Sequence, residues 1–472
     1  MRAVVVGAGV GGLAAAIELA HAGHRVTVLE QMPFAGGKCA EVRRGPFRWD
    51  AGPSLLTMPH VFRRLFADTG APLESELELL RVEPVTRYRF ADGSSVELSA
   101  DLPRAFDALE AWSPGAGAGW TRFLGICAGM WAASERFLGG PPPWPPRRPS
   151  PGEPVPDPRD ALRVRPWQTL TGLARGCTSD RRLQMVIERF ATYAGADPRR
   201  APAALAVAGY VEHAFGAWHP RGGMARLVDA LARRLEALGG ELRTSTRVEE
   251  IVVRDGRAAG VATSAGFLEA DAVVADVDEA TVRHRLLGRT TPRRRGERSL
   301  SGLVVMLGLA GRTPGGAHHE IRFSAEPHAE FDDIFAARRP VRDPTIYVSV
   351  PSVTDPEEAE SWFVLVNAPA IGGRADWGAA AAAVVERLDV GDRVQELVTR
   401  TPGDLEAETG AAGGAIYGAA PHGRLGTLRR PGARVKGAAG LWLAGGTVHP
   451  GGGLPLVALG GRTVAREIIR GA

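Results

Sequence analysis

The chain has 472 residues, a formal net charge of +4 and 44% hydrophobic residues, enough to bury large cores in two intimate lobes. Its three cysteines, Cys39, Cys127 and Cys177, are odd in number and lack metal-ligand spacing, which excludes a disulfide framework and a cysteine-based metal centre. No apolar run reaches the roughly 20 residues of a spanning helix, and no nucleic-acid-binding module accompanies the mild basic excess.

The first element is an apolar run, Ala3-Val4-Val5-Val6, entering Gly7-Ala8-Gly9-Val10-Gly11-Gly12. An alanine-rich helix follows, then Val26-Thr27-Val28-Leu29, which ends on Glu30. Strand, G-x-G-x-x-G, helix, strand and acid make a βαβ unit that grips a dinucleotide. Gly7 permits the tight turn, Gly9 lets backbone approach a pyrophosphate, and Gly12 lets the helix lie close to the strand. Gly11 belongs to the same loop. The helix N-terminus offers N–H groups and partial positive charge to the phosphates, and Glu30 is placed to accept hydrogen bonds from ribose hydroxyls. Gly36-Gly37-Lys38 and Asp50-Ala51-Gly52-Pro53 then supply backbone N–H groups and a cation for a second stretch of cofactor. A nicotinamide dinucleotide needs no such extension.

Val61 to Asp68 reads as a short helix, and residues 85–98 as a β-hairpin about Asp92-Gly93. Residues 104–138 read as helical, with Trp112, Trp120, Phe123 and Trp131 as core or as a tunnel wall. Residues 139–166 are proline-dense and predict a loop without regular helix. Helix resumes over 167–215. Gly222-Gly223 turns into a helix from Ala225 to Leu238. Glu241 to Val248, 251–253, 259–263 and 270–276 read as strands, and 301–366 is strand-rich. The pair His318-His319 reads as surface. Helices are predicted at 379–388 and 391–400, a last strand at 439–444 and a closing helix at 455–469. Between these last two lies a second glycine loop, from Gly445-Gly446 to His449-Pro450-Gly451-Gly452-Gly453-Leu454-Pro455. One long cofactor spanning glycine loops at both ends of the chain points to a flavin.

These blocks, with His219-Pro220-Arg221-Gly222-Gly223-Met224 between them, resemble the bacterial carotenoid desaturases, the phytoene desaturase family of FAD-dependent, amine-oxidase-like flavoproteins. The resemblance runs through the start, middle and end of the chain. It implies an α/β fold, a Rossmann-like FAD-binding domain with an interleaved substrate lobe of mixed sheet and helices. Residues 1–80, 216–290 and 401–472 are expected to hold FAD. Residues 81–215 and 291–400 are expected to form the substrate lobe. The expected cofactor residues are Gly7, Gly9, Gly11, Gly12, Glu30, Gly37, Lys38, Gly52, Pro53, Val248, Gly445, Gly446, Gly453 and Leu454, Val248 through its backbone at the adenine end.

The implied reaction introduces a double bond into a long isoprenoid, with FAD as hydride acceptor and oxygen or a quinone reoxidising it. Gly445-Gly446-Thr447-Val448-His449-Pro450-Gly451 leans toward the branch that forms 3,4-double bonds in hydroxylated carotenoids. His449 suits a packing role in a tight turn better than a base, and no catalytic residue is assigned. A flavin amine oxidase, a retinoid saturase and a flavin-binding isoprenoid carrier stand as alternatives. An amine oxidase is expected to place an aromatic pair beside the flavin, where the C-terminal loop offers only Trp442. The cysteine usage and the start of the chain give an expectation of a cytoplasmic protein without metal or nucleic-acid partner. Arginine clusters at 147–148, 199–200 and 293–295 are solvated surface or, functionally, contacts to an anionic membrane face.

Overall fold

The computed structural model describes residues 1–140, 142, 157–288, 296–356 and 359–471. A five-stranded parallel sheet forms the base of the α/β fold. Its strands lie in the order Leu441–Leu443, Ala272–Ala275, β1 (Arg2–Val6), β2 (Arg25–Leu29) and Glu241–Arg243. β1 pairs in parallel with strands on both sides. Helices pack on one face and a three-stranded antiparallel sheet on the other, so β1 is buried on both sides and reads as an unbroken apolar run.

The helix between these strands, α1 (Val10–His21), is buried from Val10 to Ala20. Its neighbour is the closing helix Leu454–Gly471. A Cβ on Gly461 would overlap the Gly11 carbonyl oxygen, so the two helices meet backbone to backbone. Arg462 on the closing helix is buried and pairs with Glu18 of α1 at 2.5 Å and with Asp68 of the helix His60–Asp68. This pairing fastens the last helix to the first.

A seven-stranded mixed sheet lies above. Its order is Val394–Arg400, Ser301–Leu309, Ser361–Ala368, Ile346–Ser349, His319–Arg322, Thr86–Arg89 and Ser95–Leu98. All nine residues of Ser301–Leu309 are buried. Leu303, Val305 and Leu307 join the core that includes the helix Trp377–Glu386. Val304, Phe363 and Leu365 instead line the interior cavity. Helices Leu102–Trp112, Ala116–Leu138, Leu170–Cys177 and Arg181–Glu188 build a further core against the far end of this sheet.

Five expectations are corrected. Residues 391–400 make a single turn and then the strand Val394–Arg400, because β-branched residues pair with Ser301–Leu309 at the sheet edge. Within 139–166, Pro158–Val164 is helical: proline at the first helical position loses no bond, and Asp157 caps the helix by accepting the Arg159 N–H at 2.9 Å. Glu241 to Val248 divides at a bend, where the Thr246 N–H donates to the Glu30 carbonyl at 2.7 Å. Val248–Arg254 then opens a separate three-stranded antiparallel sheet. Helix 104–138 breaks at Gly115, whose φ is +85°. His318 and His319 are 2% and 1% exposed, and His319 starts a strand that alternation alone did not reveal.

Arg199 pairs with Asp197 and Asp332, and Arg200 with Glu297. These ion pairs leave that cluster little free charge for a membrane face. Residues 143–156 and 289–295, including the other two arginine clusters, lie outside the described residues. Among the described residues no helix is long and apolar enough to cross a membrane, and no group of three metal-type ligands is assembled.

Candidate functional site

The carboxyl ends of the parallel strands open into one continuous cavity of about 1270 Å³, larger than the usual range for a single small-molecule pocket. Gly7, Gly9, Gly11, Glu30, Gly37, Lys38, Gly52, Pro53, Val248, Gly445, Gly446, Gly453 and Leu454 all stand on its wall. Gly12 lies beneath the wall, and a Cβ there would overlap the Gly7 carbonyl oxygen. The two glycine loops touch: a Cβ on Gly11 would be 3.1 Å from the Gly445 amide nitrogen. Residues more than 400 positions apart in sequence thus share one cradle.

Local chemistry fixes each group. The Glu30 carboxylate accepts the Ala8 and Met32 N–H groups, both at 2.9 Å, which holds it at the end of β2 against the loop. Lys38 Nζ donates to the Ile416 carbonyl at 2.6 Å. Burial lowers the Lys38 ammonium, while Asp278 and Asp276 hold it up. Asp50 accepts the Met224 N–H at 2.8 Å, so the hairpin before Gly52-Pro53 caps the helix Ala225–Ala237. Burial lifts Asp50 to about 6, with Arg48 opposing. Arg400 Nη1 donates to the Ala51 carbonyl at 2.5 Å and braces the same turn from the upper sheet.

Sequence reasoning missed three features. Asp276 follows the strand Ala272–Ala275 and accepts the Gly12 N–H at 2.8 Å. Burial raises it to about 6, the Gly12 amide lowering it and Glu30 adding to the rise. An acid after a buried strand beside β1 was the available signal, since ligands gather at the carboxyl ends of such strands. The second is Tyr417, which lies against Gly452 where only Trp442 was expected. Trp442 instead sits in the buried strand Leu441–Leu443 with Arg434 over its ring. The third is a chain of hydroxyls and imidazole on the cavity wall. Ser54 Oγ and Tyr347 Oη are 2.5 Å apart, and Tyr347 Oη is 2.7 Å from His319 Nδ1. Burial lowers His319 to about 3, which keeps it neutral, and its Nε2 has no partner among the described residues. His449 Nε2 donates to the Phe137 carbonyl at 2.9 Å, so the histidine docks the end of helix Ala116–Leu138 onto the loop.

Away from the loops the cavity is apolar, lined by Trp131, Phe137, Val304, Phe363, Leu365 and Phe331 among others. Arg189, Tyr193 and Glu212 interrupt it as one closed network: Arg189 donates to Tyr193 Oη at 2.8 Å, and Tyr193 donates to Glu212.

The residues fit FAD. Val10 and Gly11, at the first turn of α1, line the cavity with no preceding helical turn to accept their amides, glycines leave the backbone bare on both loops, and Gly453 has open space within 4 Å of where a Cβ would stand. Fold and site together fit a flavoprotein oxidoreductase, with one cavity shared by glycine loops from both chain ends.

Comparison with known proteins agrees. Residues 10–288 match the family described as flavin containing amine oxidoreductase. The chain is 33% identical to the 4,4'-diapolycopene oxygenase of Methylomonas sp, over 99% of this chain and 98% of that one. It is 35% identical to the hydroxyneurosporene desaturase of Cereibacter sphaeroides, over 99% and 97% of the two chains. An oxidoreductase from Methanosarcina mazei has the same fold, with a TM-score of 0.65 at 18% identity over 99% of this chain and 100% of the other. The chain belongs to the carotenoid desaturase family, within the flavin-containing amine oxidoreductases, and is an FAD-dependent oxidoreductase.

Proposed function

We propose that this enzyme introduces a carbon–carbon double bond into a long acyclic polyene, at the 3,4-position of a hydroxylated carotenoid. The carrying observation is the single cavity that joins a dinucleotide cradle to an apolar tunnel. FAD, when bound, supplies the hydride acceptor. Gly7, Gly9 and Gly11 would hold the pyrophosphate end, with Gly12 letting the helix pack beneath it, Glu30 the ribose, and Val248 the adenine end. Gly37, Lys38, Gly52 and Pro53 would hold a second stretch of the cofactor, and Gly445, Gly446, Gly453 and Leu454 would meet it from the C-terminal loop. The apolar wall excludes water and aligns the polyene. Ser54, Tyr347 and His319 make a polar stretch of that wall, where a substrate hydroxyl would find hydrogen-bonding partners. Related proteins named as hydroxyneurosporene desaturases and as a 1-hydroxycarotenoid 3,4-desaturase support the same substrate.

Residues 1–80, 216–290 and 401–472 form the cofactor part in this reading, because each contributes strands to the parallel sheet. Residues 81–215 and 291–400 form the substrate part. Oxygen or a quinone takes the electrons onward, and the enzyme works on the inner face of the cell membrane, where its apolar substrate resides. The test is expression in one host that makes phytoene and another that makes hydroxyneurosporene, with pigment spectra recorded. A red shift in the second host alone supports the reading. A shift only with phytoene moves the substrate, and no shift in either removes desaturation.

A further inference from the structure

One carboxylate occupies the place where the fold gathers positive potential for phosphates. Asp276 accepts the Gly12 N–H at the first turn of α1. Both glycine loops close on it. A Cβ on Gly9 would lie 2.5 Å from Oδ2, one on Gly11 would lie 3.1 Å from Oδ1, and one on Gly445 would overlap Oδ1. The group lines the cavity at the seam between the two loops. No ion pair holds it among the described residues. The charged groups acting on it are Glu30 from the end of β2 and Lys38 from the turn Gly37–Cys39. Lys38 spends one donor on the Ile416 carbonyl. α1 and the C-terminal loop offer it only backbone.

A pyrophosphate drawn to the same helix terminus brings further negative charge beside this carboxylate, and like charges favour its protonated form. We propose that Asp276 couples cofactor loading to proton uptake: ionised in the apoprotein at neutral pH, it takes one proton from solvent as the FAD pyrophosphate seats against Gly9–Gly12. One new O–H bond forms, and no other bond changes. In the neutral form one oxygen still accepts from Gly12 while the other becomes a donor. Burial already lifts the group to about 6, so an adjacent anion has only a short interval to move it. The proposal rests on the FAD assignment of these loops.

The test uses the full chain stripped of flavin. Calorimetric FAD titrations in two buffers of different ionisation enthalpy, at about pH 7, count the protons taken up, and flavin fluorescence gives Kd across pH. The wild type is expected to take up close to one proton, its Kd weakening by up to about tenfold per pH unit above neutrality. Asp276→Asn is expected to take up none, show a flat Kd and bind FAD more tightly than wild type at about pH 8. Proton uptake that persists in Asp276→Asn, or a wild-type count near zero, overturns the proposal. The wild-type count decides alone if the variant does not fold. FAD that does not bind the wild type at all overturns the cofactor site itself, a different result from binding without a proton.

Discussion

Replacing Gly12 with alanine tests the cradle, and the outcome follows from two opposing magnitudes. The new Cβ would overlap the Gly7 carbonyl oxygen and stand 3.0 Å from the Asp276 Cβ, inside the roughly 3.5–4.0 Å of ordinary carbon contact. Neither neighbour is the free end of a flexible side chain, so α1 must move away from β1. Such overpacking costs about 1–3 kcal/mol. Alanine's better helix propensity returns about 1 kcal/mol, leaving a net loss of about 0–2 kcal/mol in the apoprotein. The displaced helix terminus, however, no longer reaches the pyrophosphate, and FAD affinity falls roughly 10- to 100-fold, the equivalent of about 1.4–2.8 kcal/mol.

Gly23→Ala is the control. Gly23 has open space around it but a φ of +81°, so alanine there costs about 1–2 kcal/mol of stability with no route to the cofactor. Thermal unfolding should therefore show comparable destabilisation in both variants, while fluorescence titration shows weakened FAD binding only in Gly12→Ala. Equal FAD affinity in the two variants would refute the cradle geometry.

Four further outcomes follow from the same structure. Arg462→Met leaves the buried Glu18 only its longer pairing with Arg466 at 3.3 Å and should lower stability by up to about 3–5 kcal/mol at neutral pH, measured by denaturant unfolding. Glu330 is lifted to about 6, chiefly by burial, so the native state holds its proton more tightly than the unfolded chain and stability falls as pH climbs between those two values; Glu330→Gln should remove about 2 kcal/mol of that decline between about pH 4 and pH 6.5, whatever its constant offset. Leu365→Trp fills the tunnel beside Val304 and should raise the substrate KM about tenfold while leaving bound flavin unchanged, read by kinetics and flavin absorbance together. His449→Gln should leave the shape of the pH–rate profile intact, since the imidazole docks a helix end; loss of a pH-dependent limb would make it a proton carrier instead.

The parts of this fold that were legible in sequence are those written in neighbouring residues. Glycine spacing between β1 and α1, the acid closing β2 and the glycines ahead of the last helix each carry their own backbone requirement. What stayed hidden depends on partners far away in the chain. Val394–Arg400 became a strand because Ser301–Leu309 offered it an edge. His318-His319 looked like a polar surface pair, but the sheet buries His319 between Tyr347 and its neighbouring strands. Asp276 sits within a short apolar run, and its importance appears only when Gly9, Gly11, Gly12 and Gly445 converge on it. Tyr417 reaches the C-terminal loop from an irregular segment with no pattern to announce it.

The most direct test of the central claim is an anaerobic single turnover. FAD-loaded protein is mixed with one equivalent of an acyclic hydroxylated carotenoid, and flavin and polyene absorbance are followed together. The structure predicts that flavin bleaching and the polyene red shift proceed with the same rate and in equal amounts. A red shift that leaves the flavin oxidised, or a flavin that stays yellow beside a bound and unchanged polyene, would contradict it.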